Sequence, residues 1–151
     1  MADHLASTVQ VVRILFGKRL SLLNVLVDRS GSMLNQRLVP ALVALLETYP
    51  KLLVNYVFSD AGSDAAYALP NTPALDPAAL ALIHNRGGGY SPHKGIDWVL
   101  THARDVPTLI LTDSLEPLYL AKLFYAPVVV LTEDAPACIA TQADNVSALV
   151  V

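Results

Sequence analysis

The feature that most constrains the fold is a run of aliphatic residues that ends abruptly in polar ones. Residues 22–27, Leu-Leu-Asn-Val-Leu-Val, are followed by Asp28-Arg29-Ser30-Gly31-Ser32. An apolar run of this kind is typical of a parallel strand that is buried on both faces, and the polar residues then follow its carboxyl end. Open α/β sheets bind ligands at that edge. The sequence therefore predicts a central strand that delivers one acid and two hydroxyls to a candidate site.

Strand patterns and helix patterns alternate along the rest of the chain. Further strands are expected at residues 51–59, 65–69, 108–112, 128–131 and 146–151. The short strand at 65–69 is expected at an edge of the sheet and is expected to stop at Pro70, because proline donates no hydrogen bond to a ladder. For residues 5–16 the pattern fits a helix or a strand, so the structure of the lead-in, residues 1–20, stays open.

Prolines mark where the helices begin. Pro40 fits only the first turn of a helix, which places that helix between residues 36–39 and Pro50. Three dipeptides open further helices: Asp76-Pro77, Ser91-Pro92 and Glu116-Pro117. Alternating strands and helices with short loops predict a single α/β domain over residues 1–151. Its expected architecture is a three-layer, α/β/α, doubly wound and mostly parallel sheet of Rossmann-like type.

Composition narrows the classes of function. Of the 151 residues, 54% are hydrophobic and only 15% are charged, which indicates a well-packed globular domain. The formal net charge is −3 and there is no cluster of Lys and Arg, so we expect neither a nucleic-acid partner nor an anionic membrane bound by bulk charge. The N-terminus does not resemble a signal peptide, and no stretch approaches the roughly 20 apolar residues of a membrane span. The single cysteine, Cys138, suits a reducing compartment, so a cytoplasmic location is expected.

The acid and hydroxyls after the first strand suit more than one kind of site. In Asp28-Arg29-Ser30-Gly31-Ser32 the three oxygen-bearing residues alternate, so an extended chain would place their side chains on one side. Carboxylate and hydroxyl oxygens are hard ligands that suit Mg²⁺ or Mn²⁺. From these residues alone, the segment is a metal loop, a hydrogen-bonded turn between strand and helix, or a phosphate-binding turn.

Two later segments are expected at the same edge of the sheet as Asp28. One is the glycine loop Gly87-Gly88-Gly89-Tyr90-Ser91, and the other is the strand Leu109-Ile110-Leu111-Thr112 with Asp113 at its end. Together with Asp28-x-Ser30-x-Ser32, they resemble the metal-ion-dependent adhesion site (MIDAS) of von Willebrand factor A (VWA) domains. In that family the motifs read Asp-x-Ser-x-Ser, Gly-Gly-Gly-Thr-Asp and an apolar strand that ends in Thr-Asp.

The resemblance implies a role for each matching residue. Ser30 and Ser32 match the hydroxyls that coordinate the metal, and Asp28 and Asp113 match the carboxylates that bind it directly or through water. The family's threonine falls at Tyr90, whose phenol ligates Mg²⁺ poorly, so Ser91 is expected to take its place. The implied metal ligands are therefore Asp28, Ser30, Ser32, Ser91 and Asp113, around Mg²⁺ or Mn²⁺.

The same resemblance implies a binding module and not an enzyme. A coordination position left open on the metal would accept an Asp or Glu carboxylate from a partner protein, and cytosolic VWA domains commonly act in assemblies, including beside AAA+ ATPases. One alternative is a VWA-like scaffold that binds by protein contacts without metal. Another is a metal-dependent phosphatase of haloacid dehalogenase type, but Ser30 stands where such enzymes have a second aspartate, and Lys94 or Lys122 would have to supply their lysine.

Overall fold

The computed structural model describes residues 2–28, 38–59, 66–84, 92–112, 125–132 and 145–151. This part of the chain forms a six-stranded sheet and four helices. The strands are β1 Leu22–Asp28, β2 Leu53–Ser59, β3 Tyr67–Pro73, β4 Thr108–Leu111, β5 Val128–Thr132 and β6 Val146–Val150. The helices are α1 Ala2–Phe16, α2 Leu38–Glu47, α3 Pro77–His84 and α4 Pro92–His102. The helix predicted at Glu116-Pro117 lies outside the described residues.

The sheet is mostly parallel, as the alternation of patterns predicts. Its strand order is β3-β2-β1-β4-β5-β6, and only β3 runs antiparallel to its neighbour. β1 lies inside the sheet, where it pairs in parallel with β2 on one side and with β4 on the other. The predictions of an α/β fold and of a central first strand are therefore confirmed.

Helices pack against both faces of the sheet. Val25 and Val27 of β1 belong to one buried cluster, which also contains residues of α1, α2 and α3. Leu26, between them, belongs to a second cluster that contains Ile96 and Val99 of α4. Because successive side chains of a strand point to opposite faces, the two clusters lie on opposite sides of the sheet. This arrangement is compatible with a three-layer α/β/α fold.

The lead-in forms helix α1, which settles the choice that the sequence left open. Val12 and Phe16 are buried in the first cluster, and Leu5 and Val9 pack against it. These four residues recur at intervals of three or four, so they share one face of a helix. The helix ends at Gly17, whose φ of 87° suits glycine, and the Gly17 N–H donates to the Arg13 carbonyl at 2.8 Å.

Proline placement was predicted correctly for three helices, α2, α3 and α4, the last of which begins at Pro92, and wrongly for one strand. Pro40 is the third residue of α2, and Asp76 accepts a hydrogen bond from the Ala79 N–H at 3.1 Å, at the start of α3. The edge strand β3, however, continues through Pro70 to Pro73. The register explains this, because Val54 pairs with Thr72 and Tyr56 pairs with Leu69, so Pro70 and Asn71 both lie opposite Asn55 in a bulge. An edge strand tolerates a proline at such a position.

Candidate functional site

The carboxyl ends of β1 and β4 lie side by side. The two strands are parallel neighbours, and Val27 is in register with Leu111, the last residue of β4. Asp28 is the final residue of β1 and is in register with Ser59 at the end of β2. Three strand ends therefore meet at one edge of the sheet. This edge is the one at which the sequence places the candidate site.

The predicted site residues differ in whether the structure describes them. The backbone of Asp28 is described, and it ends the strand as predicted. Ser30, Ser32, Ser91 and Asp113 lie outside the described residues, as do Tyr90 and the three glycines before it. Whether these side chains come together is therefore a prediction that the described residues do not test.

Two of the candidate ligands adjoin residues whose positions are described. Asp113 follows Thr112, which is fully buried and whose N–H donates to the Leu131 carbonyl at 3.2 Å. The hydrogen bonding between β4 and β5 thus continues up to the residue before Asp113. Ser91 directly precedes Pro92, the first residue of α4. The residue before Asp113 and the residue after Ser91 therefore have defined positions in the fold.

The buried side-chain amide of Asn24, in β1, connects neighbouring strands of the sheet. Asn24 is fully buried, and its side-chain N–H group donates to the Ala103 carbonyl at 3.0 Å and to the Thr108 hydroxyl at 3.2 Å. Its carbonyl oxygen accepts from the side chain of Asn55 at 2.9 Å. Asn55 in turn accepts from the Asn71 N–H in the bulge, also at 2.9 Å. A row of polar groups thus crosses β4, β1, β2 and β3.

This network fixes α4 relative to the strand that ends in Asp28. Ala103 follows α4 directly, so the bond from Asn24 holds the carboxyl end of that helix against β1. Ile96 and Val99 fix its middle, since both are buried with Leu26 of β1. The helix that begins after Ser91 is therefore held by β1 itself. This role was not predicted from the sequence, although an amide inside each of two neighbouring apolar runs was a usable signal.

Two clefts among the described residues lie at the other end of the sheet. One, of about 390 Å³, is lined by residues that include Tyr49, Lys51 and Asp76. Another, of about 610 Å³, is lined by residues that include Lys18 and Asp105. Both border the amino ends of parallel strands, and neither contains a candidate ligand. Within the described ranges, no three His, Cys, Asp or Glu side chains come together in a way that could hold a metal ion.

Tyr56 of β2 is an ionisable group that lies inside the core. Its ring is fully buried, and its hydroxyl donates to the Ala74 carbonyl. Burial raises the pKa of the Tyr56 hydroxyl well above its usual range, and the nearby charge of Asp76 raises it further. The hydroxyl thus stays protonated and acts as a structural donor that joins β2 to the segment before α3.

A comparison with models of known protein families found no match, and a comparison with curated proteins found none either. The resemblance to VWA domains is therefore one of short motifs, two of which fall at neighbouring strand ends. None of the helices in the described part of the chain combines the length and the apolar character needed to cross a bilayer.

Proposed function

We propose that this chain is a divalent-metal-dependent protein-binding module of VWA type. Asp28, Ser30, Ser32 and Asp113 would hold Mg²⁺ or Mn²⁺, with Ser91 in place of the family's threonine. The observation that carries the proposal is the register of Val27 with Leu111, because it brings together the ends of the two strands that precede Asp28 and Asp113. The motif at each strand end supplies the chemistry.

The reversal of strand order supports the choice of this edge. From β1 the sheet continues through β2 to β3 on one side and through β4 and β5 to β6 on the other. In a doubly wound sheet, the loops after the two strands at such a reversal diverge to opposite faces and leave a crevice between them. We propose that the fold is doubly wound and that this crevice holds the site.

The donor set fits a hard cation. Carboxylate and hydroxyl oxygens are the ligands that Mg²⁺ and Mn²⁺ prefer, and this set contains both. The hydroxyls are neutral and few carboxylates would bind the ion directly, so the cation would stay under-neutralised and would attract a further Asp or Glu side chain to an open position. An acidic side chain of a partner protein is therefore the proposed ligand.

We further propose that the module is not an enzyme and that it acts within a protein assembly. We infer a non-catalytic role, because the candidate ligands include no nucleophile with a paired base and Ser30 stands where a phosphatase of haloacid dehalogenase type has an acid. By the same resemblance, the partner belongs to a protein assembly such as one built on an AAA+ ATPase, and the compartment is the cytoplasm.

Metal binding is tested by thermal unfolding with chelator and then with millimolar Mg²⁺ or Mn²⁺. An ion at 100 times its Kd stabilises the folded state by about 2.7 kcal/mol if it binds that state alone. For a domain of this size, that free energy corresponds to a rise in Tm of roughly 5–11 °C. We expect Ser32→Ala to remove the rise. Ser21→Ala, at an exposed serine before β1, is the matched control and should preserve it.

A second variant tests the assignment of Ser91. Ser91→Ala should reduce the rise in Tm if that hydroxyl has replaced the family's threonine at Tyr90. Identical melts with chelator and with metal, together with no heat in a calorimetric titration, would defeat the metal site. The Tyr90 departure from the family motif would then favour a scaffold that binds its partner by protein contacts alone.

A further inference from the structure

We propose that the β6 edge of the sheet pairs with the β6 edge of a second copy of this chain. β6 is the last strand of the sheet, and in the described part of the chain no other strand pairs with its outer side. The proposed surface consists of this edge and the flank of α1 beside it. It is independent of the proposed metal site, whose candidate residues follow other elements in the chain.

The outward-facing backbone groups of β6 can be assigned from its bonds to β5. The Asn145 carbonyl accepts from the Val128 N–H, and the Val151 N–H donates to the Thr132 carbonyl, both at 2.8 Å. Odd-numbered residues of this segment therefore direct their backbone groups toward β5. Because these directions alternate along a strand, the groups of Val146, Ala148 and Val150 point away from the sheet. A bond of the His4 ring to the Val150 carbonyl, at 3.2 Å, agrees with this assignment.

The two edges of the sheet differ in how well they are protected. On β3, Pro70 and Pro73 lack N–H groups, and the bulge at Asn71 interrupts the strand, features that discourage pairing with another chain. β6 reads Val-Ser-Ala-Leu-Val and contains no proline, no charged residue and no bulge. Of the two edges, β6 is the one suited to accept a further strand.

An exposed apolar flank of α1 lies on the same side as this edge. At 100° per residue, Val11 is within about 20° of His4 around the helix axis, and Ile14 within about 80°. Arg13 is about 180° from His4, and its guanidinium lies over the ring of Tyr49, beyond the end of α2. The side of α1 that carries His4 and Val11 therefore faces the β6 edge. Val11 is 40% exposed and Ile14 is 70% exposed.

A second copy is the occupant that these features fit. If two β6 strands pair antiparallel about a two-fold axis at Ala148, each Val146 faces Val150 of the other copy and every outward N–H meets a carbonyl. The axis is perpendicular to the sheet, so both α1 helices lie on the same face with their Val11 flanks toward each other. Two copies of one surface present identical charges, and the described residues of this surface carry none apart from a protonated His4.

The test is sedimentation of the full chain over a range of concentrations, without metal and then with it. We expect the mass to rise from 16.2 kDa to about twice that value in both cases. Val11→Lys places like charges across the axis and should raise the dissociation constant about tenfold or more. Gln10→Lys adds the same charge to the same helix at an exposed position turned away from the edge, and should change it little.

Amide exchange of the unmodified chain, measured by NMR at high and low concentration, locates the contact independently of any variant. The N–H groups of Ala148 and Val150 should be protected only at high concentration, whereas that of Leu149, which is bonded to β5, should be protected at both. A mass of 16.2 kDa at every concentration overturns the proposal. So does a dimer in which the Ala148 amide stays unprotected, or equal association of the two lysine variants.

Discussion

The bond between Asn24 and Asn55 should be measurable as a coupling energy. Replacing Asn24 by Leu, which has a similar volume, leaves the buried Asn55 N–H group without its acceptor. The Ala103 carbonyl loses the bond from Asn24 but keeps the one from the Val106 N–H. Each buried polar group left unpaired costs about 1–3 kcal/mol. The lost bond to Ala103 adds about 0.5–1.5 kcal/mol, so we expect Asn24→Leu to lower the free energy of unfolding by roughly 2–4 kcal/mol.

The double variant separates the shared bond from the other losses. Asn55→Leu alone leaves the Asn24 carbonyl oxygen and the Asn71 N–H unpaired. In the double variant, neither partner of the Asn24–Asn55 bond is present, so the penalties for that bond disappear together. The double variant should therefore cost about 1–2 kcal/mol less than the sum of the two single variants.

Urea unfolding at 25 °C, followed by circular dichroism, gives the four free energies of this cycle. The matched control combines Asn24→Leu with Asn145→Leu, since Asn145 precedes β6, three strands away from β1, and bonds to the Ala126 carbonyl. That pair should be additive within about 0.5 kcal/mol. If the costs of the Asn24 and Asn55 variants also add within about 0.5 kcal/mol, the network is refuted. A cost below about 0.5 kcal/mol for Asn24→Leu alone would refute it as well.

Three further substitutions test single features of the fold. Gly17→Ala should cost about 1 kcal/mol, because a φ of 87° is unfavourable for a residue with a Cβ atom even though open space surrounds it. Asp76→Ala should cost about 1 kcal/mol, because the Ala79 N–H loses its cap. Tyr56→Phe should cost about 1–3 kcal/mol at neutral pH, because the Ala74 carbonyl loses its donor. Burial raises the pKa of Tyr56 in the folded state, so its contribution is complete below the unfolded value of about 10 and is lost at higher pH. The variant should therefore lose less stability between about pH 9 and 11 than the unmodified chain.

Each of these substitutions has a control within the chain, and all are read by urea unfolding. Gly17→Asn should cost less than Gly17→Ala, since asparagine tolerates positive φ better. Asp105→Ala, at an exposed acid outside any helix, should be near neutral. Tyr67→Phe, at a half-exposed ring, should change the free energy of unfolding at neutral pH little. If a control changes the free energy of unfolding as much as the variant it is paired with, the structural reason given for that variant is wrong.

Features fixed by local chemistry were predictable from the sequence. Pro40 permits a helix only if it lies in the first turn, and α2 begins two residues before it. The apolar run before Asp28 predicted an interior parallel strand because few other structures bury both faces of such a run. The placement of Asp28 at the carboxyl end of β1 followed from the same pattern.

Features set by the partner strand were not predictable in this way. Pro70 lies inside β3 because the register of β2 shifts at Asn55, which no local pattern of residues 65–73 reveals. The helical state of α1 depends on the cluster that Val12 and Phe16 join, whereas the sequence of that segment fits two periods. For the site, the adjacency of the β1 and β4 ends was predicted from topology, but the ligand set around it was inferred from motif resemblance and stays a prediction.

The bond between His4 and Val150 joins residues 146 positions apart. During synthesis, α1 is made before every strand of the sheet, and β4, β5 and β6, which contribute to the cluster that buries it, are made after the other strands. Its apolar face therefore packs first against α2 and stays partly exposed until β4, β5 and β6 have been made. Contacts of such wide separation also slow folding, because the intervening loop must close before they form.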